Sequence, residues 1–442
     1  MYFILGLLKR IYWKLPIENR MKERISQKRF ERKLVKEELI DKRGKLEIIK
    51  DTNVISSYVE GMLKQPGEKS KSYKEYVDYP EYSGKMRIAA YYLTQYHPNP
   101  QNDAWWGKGT TEWNNVNKAI PQFVDHYQPR RPGELGYYDL RIKDNMLRQV
   151  KLAKNYGINL FCFYYYWFDG KRLLEHPLDM FLENTDLDIN FFYCWANENW
   201  TKRFSGTDTG ILVGISQTQE NYSMFIESIL DDMGDRRYYQ IDGKPVLSIY
   251  RPALIPDLQI VLWNWRRKAK EKLGKDLYII AIQERDVSTD WISKGFDAES
   301  EFQPKQVERF CSNITRKVKP IRKDFCGTIY DYEDLVNSKK YIIPDNIKKR
   351  VYPAVMPIWD NTARRDFRGT IFHKSTPELY KDWLVNVLHM VDTSSILDDK
   401  LVFINAWNEW GEGAYLEPDY FYGYAYLQAT REAIDLNEVR DK

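Results

Sequence analysis

Glu409 and Glu412 lie three residues apart in Leu401-Val-Phe-Ile-Asn-Ala-Trp-Asn-Glu-Trp-Gly-Glu-Gly-Ala-Tyr-Leu-Glu-Pro-Asp419. Two carboxyl groups sharing a pocket are what glycosyl chemistry needs. One moves a proton on the bridging oxygen, and the other serves as nucleophile, base or cation stabiliser. Crowding such a pair drives the two pKa values apart, so that an acid and a base coexist at one pH. The neighbours fit the same chemistry: Trp407 offers an indole face to the C–H side of a pyranose, and Asn408 offers an amide to its hydroxyls. A spacing of three on a regular strand aims side chains at opposite faces. The pair therefore meets only if the chain turns between them, which Gly411 permits. Glu198, in Asn197-Glu198, is the reserve carboxylate. The competing structural reading is a core-edge strand carrying incidental charge.

Strand ends must position these groups. Residues 401–404 form an apolar, partly β-branched run that reads as a buried strand. Seven more strand signals precede it, at 87–92, 158–165, 189–195, 245–250, 277–282, 296–302 and 351–356. Helical patterns alternate with them at 142–156, 222–233, 258–273 and 422–434, and Ser375-Thr-Pro-Glu378 reads as a capping box opening another helix to about residue 391. A basic, irregular stretch before residue 350 has the look of an insertion. Eight alternations predict a (β/α)8 barrel with enlarged loops over residues 85–442. A doubly wound sheet competes, but neither G-x-G-x-x-G nor G-x-x-x-x-G-K-[ST] follows a strand. In a barrel the C-terminal strand ends converge on one cup. They would bring Tyr92, Gln95 and His97 from the first strand, with Trp105 on its long loop, and Tyr165 and Trp167 from the second. Trp195, Asn197 and Trp200 would come from the third, Glu284 from the fifth, Trp359 and Asn361 from the seventh, and Trp407 and Asn408 from the eighth. These are the expected substrate contacts, although any single aromatic could equally be wall or core, and His97 an ordinary hydrogen-bonded loop histidine.

Composition narrows the class. The 442 residues contain 14 Trp and 33 Tyr, enough to wall a binding cleft. A net charge of +4 gives no global reason to expect a nucleic-acid partner. The charge is uneven: residues 1–50 hold 15 basic and 7 acidic residues, so the remainder is slightly acidic. Tyr2, Phe3, Ile4, Leu7, Leu8 and Ile11 line one side of a possible helix flanked by Lys and Arg. Residues 1–20 thus suit an anionic membrane surface, or else packing on the main domain. Their apolar run is too short to span a bilayer. Residues 1–84 are expected to be a basic helical extension followed by a polar linker from residue 51. Cys162, Cys194, Cys311 and Cys326 form no C-x-x-C pair and read as free thiols of a reducing, cytoplasmic compartment, peripheral to the inner membrane if residues 1–20 bind it. No metal spacing is present, no cofactor is called for, and Asp186-Leu-Asp188 sits at a helix-to-strand turn unsuited to holding a metal.

Longer motifs carry a resemblance. Gln95-Tyr-His-Pro, Trp105-Trp-Gly-Lys-Gly, Thr111-Glu-Trp-Asn-Asn-Val, His126-Tyr-Gln-Pro, Leu135-Gly-Tyr-Tyr-Asp-Leu, Phe163-Tyr-Tyr-Tyr-Trp-Phe, Cys194-Trp-Ala-Asn-Glu-Asn-Trp and Asn405-Ala-Trp-Asn-Glu-Trp-Gly-Glu-Gly resemble the WbsX-type glycosyltransferase family. That family is associated with O-antigen and other surface polysaccharides, and is similar to the endo-α-mannosidase glycoside hydrolases, which are (β/α)8 barrels. The likeness covers about residues 85–434. It implies an enzyme taking a glycan or activated sugar, nominally a transferase. The alternatives are a retaining endo-glycosidase or transglycosylase working through a 1,2-anhydro sugar, and a non-catalytic glycan-binding protein. Under the second reading Glu409 matches the base at the 2-hydroxyl and Glu412 the acid/base at the glycosidic oxygen. Thr94 and Thr110 depart from the family pattern, where Pro and Phe are expected, which bears on the shape of the first loop.

Overall fold

Eight parallel strands close into a ring. In the computed structural model, which describes residue 56 and residues 67–201, 211–284, 287–322 and 324–440, they are β1 (Arg87–Tyr92), β2 (Leu160–Phe168), β3 (Asn190–Trp195), β4 (Lys244–Ile249), β5 (Tyr278–Ile282), β6 (Ala298–Ser300), β7 (Val351–Tyr352 and Ala354–Val355) and β8 (Leu401–Ile404). Each pairs with the next, and β8 returns to β1 with Arg87 opposite Leu401. Pro353 splits β7 because proline has no N–H to give a ladder. Its first half pairs with β6 and its second with β8, which completes the closure. The (β/α)8 barrel expected from the alternation is therefore the fold.

Both faces of this sheet are buried, as parallel sheets require. Tyr91 points inward, meeting Tyr164 at 5.6 Å, Phe403 at 5.5 Å and Phe302 at 5.0 Å between ring centroids. Tyr92 points outward and donates its hydroxyl to Gln149 Oε1 at 2.7 Å, on the helix Lys143–Asn155. The same alternation places Cys162, Tyr164 and Tyr166 of β2 inside, and Phe161, Phe163, Tyr165 and Trp167 outside. Trp195 is also outside, stacked on Phe225 at 4.0 Å and edge-on to Trp265. Phe225 and Trp265 belong to the helices Gln219–Leu230 and Leu258–Leu273, whose apolar faces cover this side of the barrel. Gly274, in the left-handed conformation, ends the second of these helices.

The expected helix starting at Ser375 runs over Pro377–Asp392, and its cap is Thr376, whose side chain accepts from Leu379 N–H. Ser375 instead donates to the Pro357 carbonyl at 2.6 Å, fastening the helix to the end of β7. The stretch read as an insertion holds a second sheet. Thr328–Asp331 pairs in parallel with Thr370–His373, which pairs antiparallel with Trp359–Asp360. Phe123, Ile314, Phe325, Ile329 and Ile371 give this lobe its own small core. The described end of the expected linker lies against the barrel: Ser70 N–H donates to Phe421 O, Lys74 N–H to Tyr422 O and Val77 N–H to Tyr156 Oη. The basic extension of residues 1–50 and its expected membrane contact lie outside the described residues. Among the described residues no helix is long and apolar enough to cross a membrane.

Candidate active site

Past Ile404 the chain leaves β8, and Asn408–Glu409 forms a short hairpin with Ala414–Tyr415. Between them Trp410–Glu412 makes one 3-10 turn, closed by Gly413 at φ 59°. This turn brings both carboxylates to the same side. They meet on one guanidinium: Arg364 Nη2 reaches Glu409 Oε2 at 2.8 Å, and Nη1 reaches Glu412 Oε1 at 2.9 Å. Arg364 Nε takes a third carboxylate, Glu112 Oε1, at 2.8 Å. Gly411 is needed here for space rather than for φ. A Cβ on it would fall 1.7 Å from Glu112 Oε1 and 2.8 Å from Arg364 Nε.

Three acids around one base leave excess negative charge in a dry place. Burial raises Glu409 to about 8, with Arg364 opposing the shift and Glu412 and Glu112 adding to it. Burial raises Glu412 as well, again against Arg364. Arg364 itself stays charged: its burial disfavours the cation, but the three carboxylates outweigh that cost. The cluster is thus built to keep a proton near neutrality, held by the more buried member, since the Glu409 side chain is 6% exposed and that of Glu412 25%.

A second charged group stands at the ends of β3 to β6. Asn197 clamps the Arg251 backbone through both of its amide atoms, at 2.7 and 2.9 Å. Arg251 Nε then holds Glu198 Oε1 at 3.2 Å and Glu284 Oε1 at 2.9 Å. Lys305 lies beside them with its ammonium 4.0 Å from the Tyr250 ring centroid. An aromatic wall completes the cup: Trp200 meets Tyr166 at 5.1 Å and Trp105 at 5.9 Å.

The expected residues divide accordingly. Glu409 and Glu412 share a partner, Glu198 and Glu284 share another, and Trp105 and Trp200 pack together. Tyr92, Tyr165, Trp167 and Trp195 face the helices and belong to the core, not the cup. Alternation aims Tyr164 and Tyr166 inward in their stead. Trp407 is fully buried against Phe161. Asn408 ties β8 to β1 through Leu93 N–H and C=O, at 2.7 and 3.0 Å, and is likewise structural. His97 is buried, with Nδ1 at 3.0 Å from Thr94 O, and burial lowers its pKa to about 4, so it is a neutral loop histidine. Gln95 is buried with its carbonyl accepting from Glu112 N–H. Trp359 is buried in the second sheet, and Asn361 accepts from Thr370 N–H and Arg364 N–H, so it supports the arginine. Of the two departures, Thr110 donates to Gly107 O at 2.7 Å and closes the loop turn, while Thr94 holds His97 through its carbonyl. Sequence reasoning missed Arg364 and Lys305 altogether. Glu112 was visible only as part of the Thr111-Glu-Trp motif.

A closed (β/α)8 barrel with paired carboxylates and half-buried aromatics at its C-terminal rim is a carbohydrate-active architecture. The chain belongs to the WbsX glycosyltransferase family, whose profile matches residues 88–430. It is 39% identical over 349 residues to the uncharacterized protein WxcX of Xanthomonas campestris pv. campestris strain B100, covering 78% of this chain and 49% of that protein. WxcX of strain ATCC 33913 matches to the same extent. The chain thus spans about half the length of the curated relatives it matches. Among solved structures, the GH99 endo-alpha-mannosidase from Bacteroides thetaiotaomicron has a TM-score of 0.50 at 14% identity, over 80% of this chain and 99% of that one. A glycoside hydrolase-like protein has 0.50 at 16%, over 80% and 96%. At such identity these two share the fold alone.

Proposed function

We propose that this chain is an enzyme that makes or processes glycosidic linkages of a bacterial surface polysaccharide, with Glu409 and Glu412 as its reacting pair. The observation that carries this reading is the single guanidinium of Arg364 gripping both carboxylates at the rim. In the mechanism that the resemblance implies, Glu409 takes the proton of the 2-hydroxyl while O2 attacks C1. The bond from C1 to the bridging oxygen breaks, and Glu412 protonates the departing oxygen. An acceptor hydroxyl or water then opens the 1,2-anhydro sugar at C1, giving its proton to Glu412, while Glu409 returns one to O2. The configuration is retained, and the same two side chains serve transfer and hydrolysis. Lys and Arg in residues 1–20 would bring the enzyme to an anionic membrane surface, where such glycans are assembled.

Transfer and hydrolysis separate on the second substrate. Purified protein is incubated with nucleotide-activated mannose plus an acceptor glycan, and separately with oligomannosides in water. Donor consumption that depends on acceptor establishes the transferase, and release of reducing ends establishes the hydrolase. Failure of both, across sugars with a free 2-hydroxyl, would leave the glycan-binding alternative and overturn the proposal.

A further inference from the structure

Lys305 is not used in the steps above, yet it stands in the same cup. Its loop is fixed: Gln306 accepts from Phe302 N–H at 2.9 Å and donates to Gln283 O and Glu284 O at 3.0 and 3.3 Å. The lysine stem crosses Tyr250 and Phe302, with Nζ 4.0 and 4.9 Å from the two ring centroids. Phe302 touches Tyr91 inside the barrel, which sets this ammonium at the inner wall and not on the outer surface. Nζ is buried and has no hydrogen-bond acceptor among the described residues. The charged groups facing it are Glu284, Glu198 and Arg251, with Cys194 near them and Glu412 on the side of the carboxylate pair. Both glutamates nearest it are already bound by Arg251.

A buried ammonium with three unused N–H donors is costly unless something accepts them. Its aromatic contacts offset part of that cost by attraction to the ring faces, but they supply no acceptor. Hydroxyl oxygens would satisfy the donors and leave the charge unmatched. An anionic oxygen group satisfies both.

We infer that Lys305 is the docking point for an anionic oxygen group on the sugar substrate, a carboxylate or a phosphate ester, across the cup from the carboxylate pair. The inference rests on the reading of this cup as the glycan site and adds the substrate's charge. A carboxylate belongs to a uronic acid within the glycan, whereas a phosphate belongs to an activated donor. The two sources share one chemistry at Nζ.

Binding to the full chain decides it, by titration calorimetry with mannose 1-phosphate, a mannosyl-glucuronic acid disaccharide and the carboxyl-reduced form of that disaccharide. The wild type is expected to bind one of the two anionic probes at least ~10-fold more tightly than the neutral one, the size of one charge-assisted contact. Lys305→Met removes the preference while neutral binding stays, and Lys305→Arg keeps it. The phosphate or the uronate arm, whichever responds, names the source. Equal binding of all three probes, no binding of any, or a preference that survives Lys305→Met overturns the inference. Turnover of neutral oligomannosides by wild type would uphold the carboxylate pair even then, so the two readings fail separately.

Discussion

Arg364 sets the proton balance of the rim. Glu409 is raised to about 8 by burial, with Arg364 restraining the shift. A base must be ionised to work, and Glu409 is mostly protonated below that value. If it takes the 2-hydroxyl proton, kcat/KM should climb roughly tenfold per unit from about pH 6 and level near pH 8. The apparent pKa belongs to the Glu409–Glu412 pair, not to one member. If Glu409 were instead the proton donor, the rate would fall above about 8, and a pH–rate profile separates the two roles. At this scale Glu409 and Glu412 were legible, because acids that follow an apolar strand and flank a glycine have few structural uses. Tyr165 and Trp167 were misassigned where Tyr164 and Tyr166 face inward. A parallel strand buried on both faces carries no polar alternation from which to set its phase. Arg364 gave no signal: it sits on a four-residue helix in a loop, among other arginines, and only the tertiary fold brings it to the rim.

The turn Trp410–Glu412 is the element on which the site depends. The carboxylates converge because the strand stops after Glu409 and one 3-10 turn follows. Its floor is the Glu112–Arg364 pair pressing on Gly411. Gly411→Ala should therefore push that pair away and lower stability by roughly 1–3 kcal/mol, the usual cost of forcing a methyl into a packed site. Thermal unfolding checks the loss, and turnover should fall further than stability alone explains, because Arg364 moves with its partner. Unchanged stability and turnover would mean that the contact is slack. The expectation of a turn at this glycine was sound, though for another reason: Gly413, not Gly411, carries the positive φ. Periodicity located the barrel helices and strands closely, as with Leu258–Leu273 and its Gly274 stop. It could not show the second sheet, whose strands are two to four residues long and are held by partners far along the chain.

Across the whole molecule, ring closure is what makes distant residues neighbours. Glu112 follows β1, Arg364 follows β7 and Glu409 follows β8, yet closure of β7 and β8 onto β1 seats them together. The alternation of strands and helices revealed this architecture, and the long motifs revealed the family. The half of the curated relatives beyond this match carries functions that this chain alone does not define. The second arginine, Arg251, with Glu198 and Glu284, gives the opposite wall a charge balance of its own, so the cup presents two acid–arginine clusters to one ligand. Only the first places two acids where a single sugar could use both.

Steady-state turnover of Glu409→Gln and Glu412→Gln, measured beside the binding of the same glycan, tests that claim most directly. The account predicts that each variant loses at least ~10³-fold in kcat while Kd stays within about threefold, since each amide keeps the shape but cannot move the proton. Wild-type turnover in either variant would contradict it.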